Sequence, residues 1–332
     1  MKIAIDAMGG DFGLKTTVPA AMAAIKEWPD LSLVLYGDKN KIETLLTDKT
    51  RISVVHTTNV LDMGEHNPVR AVRNNRDASL CLALRAAKNK EVDAVVSNGP
   101  TQCVVVGAHL IIRRLKGMSR VALCPIVPAV DGSSKLMLDV GANIALDPIQ
   151  INELATFASV VSKEVFKVKN PSVGLLNIGT EEGKGRPQDI ETYELLKSNS
   201  NFPFFGNVET KDVLTTKADI MVTDGFTGNM VLKTIEGVAK GVGAMLKEDI
   251  KSSLSGKIGY LFLRKNLKHF KKRLDPGEVG GAMILGIGTP VVKAHGSSDA
   301  YAYKNAIRLA RNMVLGDVIN KVVAKLPKED EK

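Results

Sequence analysis

The chain has few of the residues that build cross-links or metal centres. Its 332 residues include three cysteines and five histidines. An odd number of widely spaced cysteines (Cys81, Cys103, Cys124) argues against a disulfide framework. No histidine lies near a cysteine at a zinc-type spacing. We therefore expect buried, reduced cysteines, no metal site and no bound cofactor.

Long apolar runs are also missing. The chain reaches Asp6 after five residues, which leaves no room for a secretory hydrophobic segment. The longest apolar stretch, residues 121–130, is short and interrupted by prolines, so it cannot span a bilayer. These absences predict a soluble cytoplasmic protein.

The usual nucleotide-binding signatures are absent as well. The chain opens KIAIDAMGGDFG, in which a strand runs into a glycine-rich turn without the G-x-G-x-x-G spacing, and no P-loop occurs. Asp38 follows the second predicted strand, where a ribose-binding acid often lies, but without the glycine fingerprint a turn aspartate is favoured. No nucleophile elbow, Cys/His pair or HExxH helix is visible. The pattern indicates a small anion held by loops, with no protein nucleophile.

The chain carries an excess of positive charge that is confined to one segment. The net charge is +9, from 45 basic and 36 acidic residues. Residues 251–273 contain eight Lys or Arg and no Asp or Glu, so the remainder is almost neutral. Because the excess is local, we expect no nucleic-acid partner.

Short apolar runs alternate with helical patterns along most of the chain, which predicts helices on both sides of a mostly parallel sheet. Asn67-Pro68 and Asp147-Pro148 are typical helix starts. The expected organisation is one α/β/α domain over residues 1–326, in one or two lobes, with a disordered tail at 327–332. The predicted strands are 2–5, 31–36, 52–56, 93–97, 120–124, 135–139, 172–177, 219–223 and 290–294.

Nearly every predicted strand ends in a glycine-rich loop with polar side chains. Ligands of parallel sheets bind at the carboxyl ends of the strands, so we expect six such loops at the same end of the sheet. Their glycines would let backbone amides approach an anion. The candidate phosphate- and substrate-binding residues are Asp6, Gly9, Gly10, Asp11, Asn98, Thr101, Asn143, Asn177, Asp224, Gly225, Ser297 and Ser298.

The loops together resemble the motifs of a known family. KIAIDAMGGDFG, LDVGAN (138–143), LLNIGTEEGKG (175–185), DGFTGNMVLKT (224–234) and HGSSDAYAYKNAI (295–307) are similar to those of the PlsX family, phosphate acyltransferases of bacterial phospholipid synthesis. The resemblance extends to about residue 315. It implies transfer of an acyl group from acyl carrier protein to inorganic phosphate. It also implies a fold like that of the isocitrate and isopropylmalate dehydrogenases, a homodimer and peripheral association with the membrane.

The candidate catalytic residues are Lys184, Asn229 and His295. Phosphate is itself the nucleophile, so the protein has to orient it and stabilise an oxyanion. Lys184 and Asn229 are suited to both tasks, although Lys184 is also explained as a solvated loop lysine. His295 would either protonate the leaving thiolate or bond to its own loop. The aspartates would orient Lys184 or backbone amides.

Two loops depart from the family pattern. Residues 97–103 read S-N-G-P-T-Q-C where relatives usually have S-A-G-N-T-G-A. Pro100 offers neither a side-chain donor nor an N–H, and Asn98 could replace the missing asparagine from two residues away. Residues 64–80 depart too, with Asn74-Asn75 where a more basic pair is common. We expect both departures to affect the enzyme's preference for an acyl chain or for a carrier protein.

Residues 247–276 combine the basic segment with apolar residues at helical spacing, interrupted near Ser255-Gly256. This predicts a protruding helical hairpin with an apolar tip and basic flanks, suited to shallow insertion into anionic lipid or to docking an acidic carrier. A dimer interface and a helix packed on the body are the alternatives. The candidate contact residues are Leu254, Ile258, Leu261, Phe262, Arg264, Lys265 and Lys268.

Three other functions are weighed against acyl transfer from a carrier protein. A phosphotransacetylase-like enzyme would share the phosphate pocket but use a CoA thioester. A metal- and NAD-dependent dehydrogenase would need clustered acids, which the sequence does not reveal. A non-catalytic lipid-binding scaffold would explain the hairpin but not the polar loops.

Overall fold

The strands of the computed structural model, which describes residues 1–273 and 276–326, form a mostly parallel sheet of eleven strands. Across the sheet their order is β3-β2-β1-β4-β11-β10-β5-β6-β9-β7-β8. The predicted tail at 327–332 and residues 274–275 of the predicted hairpin lie outside the described residues. The strands are β1 (Lys2–Asp6), β2 (Ser32–Gly37), β3 (Ile52–His56), β4 (Ala94–Ser97), β5 (Ala122–Pro128), β6 (Ser134–Leu138), β7 (Val173–Asn177), β8 (Phe204–Glu209), β9 (Ile220–Val222), β10 (Ala282–Leu285) and β11 (Val291–Lys293).

Eleven α-helices of the described residues connect and cover these strands. A π-helical turn over Ala108–Ile112 and two short 3₁₀ turns complete the regular structure. The helices are α1 (Leu14–Glu27), α2 (Lys39–Leu45), α3 (Pro68–Asn74), α4 (Ser79–Lys88), α5 (Thr101–Gly107), α6 (Pro148–Val165), α7 (Pro187–Ser198), α8 (Gly225–Ser252), α9 (Leu254–Arg273), α10 (Ala300–Leu315) and α11 (Val318–Val323).

Helices cover both faces of the sheet, which confirms the predicted three-layer α/β/α class. Successive strand residues point to opposite faces: Ile3 and Ile5 pack in one apolar cluster with residues of α1, α6 and α10, whereas Ala4 packs in another with residues of α4 and α5. A third cluster joins β6, β7 and β8 to the first turns of α8. Burial on both faces explains why the strands read as continuous apolar runs.

All nine predicted strands are present, displaced by a few residues at most. Two more, β8 and β10, are not evident from sequence because Gly206 and Asn207 interrupt the apolar pattern of one and the other has four residues. Both predicted helix starts are confirmed. Asn67 accepts a hydrogen bond from the amide of Arg70, and Asp147 forms a capping box with Gln150.

The expectation that all six loops share one end of the sheet is wrong. β10 is antiparallel to both of its neighbours, and β5 is antiparallel to β6. As a result β6, β9, β7 and β8 run opposite to β1, β4 and β11. The candidate loops therefore fall into two groups: loop group A follows β1, β4 and β11, and loop group B follows β6, β7 and β9.

Strand β5 places the two loop groups at nearly the same height along the strand direction, despite this reversal. The first half of β5 pairs with β10 and its second half pairs with β6. Lys293, Ala282 and Pro125 lie in one row across the sheet, and the next residue of β5, Ile126, pairs with Leu136. The last residues of β11 and β6 therefore lie within a few rows of each other.

Two long helices, α8 and α9, extend from loop group B and meet at Ser253. The predicted interruption near Ser255-Gly256 lies two residues too late, because the Ser253 hydroxyl accepts the Gly256 amide (2.9 Å) and so begins α9. The first of the two helices begins at Gly225, earlier than the hairpin expected over 247–276. Beyond its first turns it is largely exposed.

Candidate functional site

Asp6 joins the strands of loop group A. Its carboxylate is buried and accepts hydrogen bonds from the hydroxyls of Ser79 (2.6 Å) and Ser97 (2.7 Å). Burial raises the pKa of Asp6, and these hydroxyls together with the amides of Gly9 and Met8 offset part of that rise. The residue thus fixes the ends of β1, β4 and α4 relative to one another, and it orients backbone amides rather than Lys184.

Two glycines of the opening turn allow close approach between loops. A Cβ on Gly9 would lie 2.6 Å from Asp6 Oδ2 and 2.9 Å from the Gly99 nitrogen. Gly10 has a φ of +77°, and a Cβ there would lie 2.1 Å from Asn98 Nδ2. The Asn98 side chain therefore lies directly against the Gly10 backbone. It is fully buried, and neither of its amide atoms has a hydrogen-bond partner among the described residues.

The loop after β11 is tied to the opening turn and to α1 by two hydrogen bonds. The Asp11 amide donates to the Gly296 carbonyl (3.0 Å), and the Thr16 hydroxyl donates to the Ser298 carbonyl (3.0 Å). Ser297 and Ser298 do not cap the following helix, because Asp299 accepts the Ala302 amide (2.8 Å) and takes that role.

His295 is held by its own loop. Its Nδ1 accepts from the Ser297 amide (3.3 Å) and lies 2.9 Å from the Ser297 hydroxyl. Desolvation lowers the pKa of His295, and the positive charge of Lys293 lowers it further. With Nδ1 as acceptor, the neutral ring carries its proton on Nε2, which is the tautomer needed to donate to a ligand.

Lys293 is a residue of this group that the sequence reasoning missed. It ends β11, pairs with Ser97 in the adjacent strand and is only 7% exposed. Desolvation lowers the pKa of Lys293 to about 8, although Asp11 and Asp6 act in the opposite direction. A charged residue at the end of an otherwise apolar strand was the available signal. Lys293 lies inside the predicted strand 290–294, where the pattern gave it no separate role.

Loop group B is built around Asp139, which was also missed. This buried carboxylate accepts from the amides of Leu123 (2.9 Å), Ala142 (3.1 Å) and Asn143 (2.7 Å). The Asn143 side chain donates to the same carboxylate and to the Val121 carbonyl. Asn143 therefore has a structural task that its predicted role in phosphate binding did not include.

Gly225 begins α8 against this loop. A Cβ at Gly225 would lie 1.9 Å from the Asn143 carbonyl oxygen, which no side chain could tolerate. Asp224 caps the helix by accepting the Thr227 amide (2.8 Å). Asn177 is satisfied as well, since its Nδ2 donates to the Lys184 carbonyl and to Asn207 Oδ1.

Arg186, rather than Lys184, is the cation that the aspartates of this group orient. Its Nη2 donates to Asp224 (2.8 Å) and to Asp189 (2.9 Å). Burial raises the pKa of Asp224, but its bonds to Thr227 and Arg186 outweigh that and leave the pKa below its ordinary value. Lys184 is half-exposed, and its carboxylate neighbour is Glu181 at 3.8 Å. Of the two predicted roles for the aspartates, orienting Lys184 is not what the structure shows, whereas Asp6 and Asp224 do hold backbone amides.

Asn229, one turn into α8, lies beside Gly141 and is exposed. Thr101 is exposed at the start of α5. Further along α8, the charges of Lys233 and Glu236 influence the pKa of His295. That influence shows that α8 passes close to loop group A, so that both groups border one region.

The predicted contact residues of the helical pair are on its surface. Leu254, Ile258, Leu261 and Phe262 are exposed, with Phe262 at 82%. Arg264, Lys265 and Lys268 are exposed on the same helix. No helix of the described ranges is both long and apolar enough to cross a membrane.

The cysteines are unsuited to nucleophilic work. All three are buried free thiols. Burial raises the pKa of Cys81 to about 12, that of Cys103 to about 11 and that of Cys124 further still. Since the thiolate is the reactive form, the neutral side chains serve packing. Within residues 1–273 and 276–326 no three His, Cys, Asp or Glu side chains are grouped to hold a metal ion.

Comparison with known proteins gives full-length matches. A family model described as "Fatty acid synthesis protein" matches residues 1–321. The phosphate acyltransferase of Acholeplasma laidlawii is 45% identical over 333 residues, covering 100% of both chains. That of Listeria welshimeri is 42% identical over 328 residues, covering 99% of this chain and 97% of the relative.

Solved structures show the same fold at lower identity. A phosphotransacetylase from Streptococcus pyogenes matches with a TM-score of 0.62 at 18% identity, covering 96% of this chain and 94% of that one. Identity this low relates the folds alone. The match agrees with the α/β/α class and extends over both halves of the sheet.

Proposed function

The chain belongs to the PlsX family of fatty acid synthesis proteins, and from this we propose that it is a phosphate acyltransferase of phospholipid synthesis. The observation that carries the proposal is the relationship over the whole chain to phosphate acyltransferases at 42–45% identity. The chain transfers an acyl group to inorganic phosphate.

The proposed donor is an acyl thioester of acyl carrier protein. The hydrogen phosphate dianion attacks the thioester carbonyl, the C–S bond breaks, and the proton of phosphate passes to the departing thiolate. Products are acyl phosphate and free carrier thiol. No protein nucleophile is required, in keeping with three buried cysteines of raised pKa.

The proposed roles follow from where each side chain lies. His295, with its proton on Nε2, donates to the carbonyl oxygen or to the leaving sulfur. Asn229 and Lys184, both solvent-accessible, contact the phosphate or the oxyanion from loop group B. The amides of Gly10 and Gly225, with the side chains of Asn98 and Thr101, complete the pocket. The amides of Gly9, Ser297 and Ser298 hold its loops by bonding to Asp6 and His295. Asp6, Asp11, Asn143, Asn177 and Asp224 shape its loops.

Release of carrier thiol tests the enzyme. Purified protein is mixed with acyl-[acyl carrier protein], with and without inorganic phosphate, and the free thiol is measured with a chromogenic disulfide. Phosphate-dependent release is expected in the wild type and strongly reduced in Lys184→Ala. No release above the Lys184→Ala level would reject the proposal.

A second candidate function is acyl transfer from a CoA thioester, favoured by the shared fold with a phosphotransacetylase. Acetyl-CoA and acyl-[acyl carrier protein] offered side by side separate the two. We expect turnover with the carrier substrate and little with acetyl-CoA, and the reverse preference would favour this candidate.

The exposed helical pair is proposed to place the enzyme on the inner face of the cell membrane. Leu261 and Phe262 supply apolar contact, and the basic residues around them attract anionic headgroups, each worth about 1 kcal/mol near the surface. Sedimentation with vesicles of phosphatidylglycerol should capture the wild type, whereas Leu261→Glu/Phe262→Glu should remain in the supernatant. Equal capture of both proteins would exclude insertion through this surface.

A homodimer is proposed from the exposed apolar stripe of α8. Val238, Val242 and Met245 recur at spacings of four and three residues, which places them on one helix face, and all are exposed. A second copy of the chain would bury this stripe. Analytical ultracentrifugation should give a dimer for the wild type and a monomer for Val242→Glu/Met245→Glu. A monomeric wild type would refute the proposal.

A further inference from the structure

We propose that Lys293 is the cation that receives the acceptor phosphate, with the amide of Asn98 as a second hydrogen-bond donor. The proposal rests on the proposed transfer to phosphate and assigns that substrate to loop group A. It rests on two separate features, a buried ammonium without an ion pair and a buried amide without a hydrogen bond.

The first feature is the environment of Lys293. Its Nζ donates to the carbonyl of the next residue, Ala294, and no carboxylate among the described residues forms an ion pair with it. Asp6 is engaged by two serine hydroxyls instead. A buried lysine without an ion pair is costly to a fold, and the more distant charges of Asp6 and Asp11 offset only part of that cost. An anionic substrate supplies the missing charge.

The second feature is Asn98. Buried amides are almost always hydrogen-bonded, and one with neither atom satisfied is an exception that calls for a ligand. Its amide and the Gly296 carbonyl both lie against Gly10, so Asn98 lies near the point where the opening turn meets the loop after β11. The bond from the Asp11 amide to Gly296 closes these loops. Phosphate would enter by displacing that bond.

The sheet places the two features side by side. Lys293 pairs with Ser97, the last residue of β4, and Asn98 is the first residue after that strand. The Ala294 amide also donates to the Ser97 carbonyl (2.9 Å), so β11 and β4 stay paired up to the point where both polar residues occur. A small tetrahedral anion bound there would accept from Nζ, from Nδ2 and from the Gly10 amide of the opening turn.

The alternative is that Lys293 serves only to balance Asp6 and Asp11. Desolvation outweighs those two carboxylates in setting the pKa of Lys293, so the charge is a net cost to the folded chain. Replacing it with a neutral side chain of similar shape should therefore not weaken the fold. A purely structural lysine would behave in the opposite way.

The control is Lys135, another buried lysine, which lies outside the site. It is the second residue of β6 and lies 3.8 Å from Asp219, its carboxylate partner. Lys135→Met should lower the unfolding midpoint and leave the KM for phosphate unchanged. Lys293→Met should leave the midpoint unchanged or raised and should increase the KM for phosphate by about 10- to 150-fold, the loss of one charge-assisted hydrogen bond.

Two readouts test the proposal in phosphate-free buffer. The first is the KM for phosphate against the KM for the acyl donor, and only the former should change in Lys293→Met, with Lys293→Arg recovering most of the loss. The second is calorimetric titration of inorganic phosphate without the acyl donor, which also works if the enzyme assay fails. Asn98→Ala should weaken phosphate binding about 3- to 15-fold.

Unchanged phosphate binding in a folded Lys293→Met protein would overturn the proposal. If that variant does not fold, Lys293→Gln and Asn98→Ala take its place, and unchanged binding in either would do the same. Phosphate binding that depends on Lys293 in a protein without thiol release would retain the anion site and reject the acyl transfer.

Discussion

Loop groups A and B contain similar residues but use them differently. In loop group B the buried polar side chains are satisfied by bonds to the backbone: Asn143 donates to Val121, Asn177 donates to Lys184, and Asp224 accepts from Thr227. In loop group A, Asn98 has no partner and Lys293 no carboxylate among the described residues. Glycines with Asn or Asp after a strand therefore signal either a scaffold or a binding site. The distinction lies in which donors remain unused.

The largest expected effect is a loss of stability from a substitution in loop group B. Gly225→Ala would drive a Cβ into the Asn143 carbonyl oxygen, and we expect a loss of about 4 kcal/mol or more in the free energy of unfolding. Chemical denaturation measures it. Gly183→Ala is the matched control, because a Cβ there meets no atom within 4 Å. Similar stability for the two variants would contradict the tight packing described for loop group B.

The next effect concerns pH and Lys293. Its folded pKa of about 8 is below the ordinary 10.5, so between pH 8 and 10.5 the unfolded chain holds a proton that the folded chain has released. Stability should therefore rise across this window, by up to about 3 kcal/mol. The groups facing Lys293 are Asp6, Asp11 and His295. Subtracting the unfolding curve of Lys293→Met isolates this contribution, and a flat difference would contradict the lowered pKa.

Replacing one asparagine of each loop group with alanine compares the two groups directly. Asn143→Ala removes donors to Val121 and Asp139 and should cost about 1–3 kcal/mol in unfolding free energy while leaving phosphate binding intact. Asn98→Ala should change stability by about 1 kcal/mol or less, since no hydrogen bond is lost. Thermal unfolding and phosphate titration of both proteins measure the contrast. The opposite pattern would exchange the roles of the two loop groups.

The smallest effect is at the surface of loop group B. Glu181 lies 3.8 Å from Lys184 with both side chains about half-exposed or more. Glu181→Gln should change the unfolding free energy by less than about 0.5 kcal/mol. Denaturation at low and high salt checks this value. A larger, salt-sensitive change would mean that Lys184 is held in place rather than free to reach a ligand.

Sequence predicted the sheet better than it predicted the site. Apolar runs and helix starts marked by a capping residue before proline are local signals, so β1, β4 and the start of α6 could be located directly. The direction of each strand is not local. Nothing in the residues of β5 and β6 announces that these strands pair antiparallel and so reverse the second half of the sheet, and the expectation of a single loop edge failed for that reason.

Site residues were recognised by type rather than by partner. Asp6 and Asp224 were expected beside a cation, but one binds serines and the other Arg186. Such partners lie far apart in the chain and are joined only by the fold. Lys293 was overlooked because a strand pattern tolerates one lysine at its end, and burial, which makes that lysine exceptional, is not written in the sequence.

Strand β5, which pairs with both β10 and β6, sets the spacing between the two loop groups. Its first half sets the height of β10 and β11, and its second half sets the height of β6. The distance between loop groups A and B is thus counted in residues of one strand, about 3.3 Å for each. A slip of one residue would turn every side chain to the wrong face. A register shift that keeps the buried faces inward therefore moves the two groups by two residues, about 7 Å, and a finer change in their spacing needs an irregularity like the register shift at Val173/Gly174 in β7.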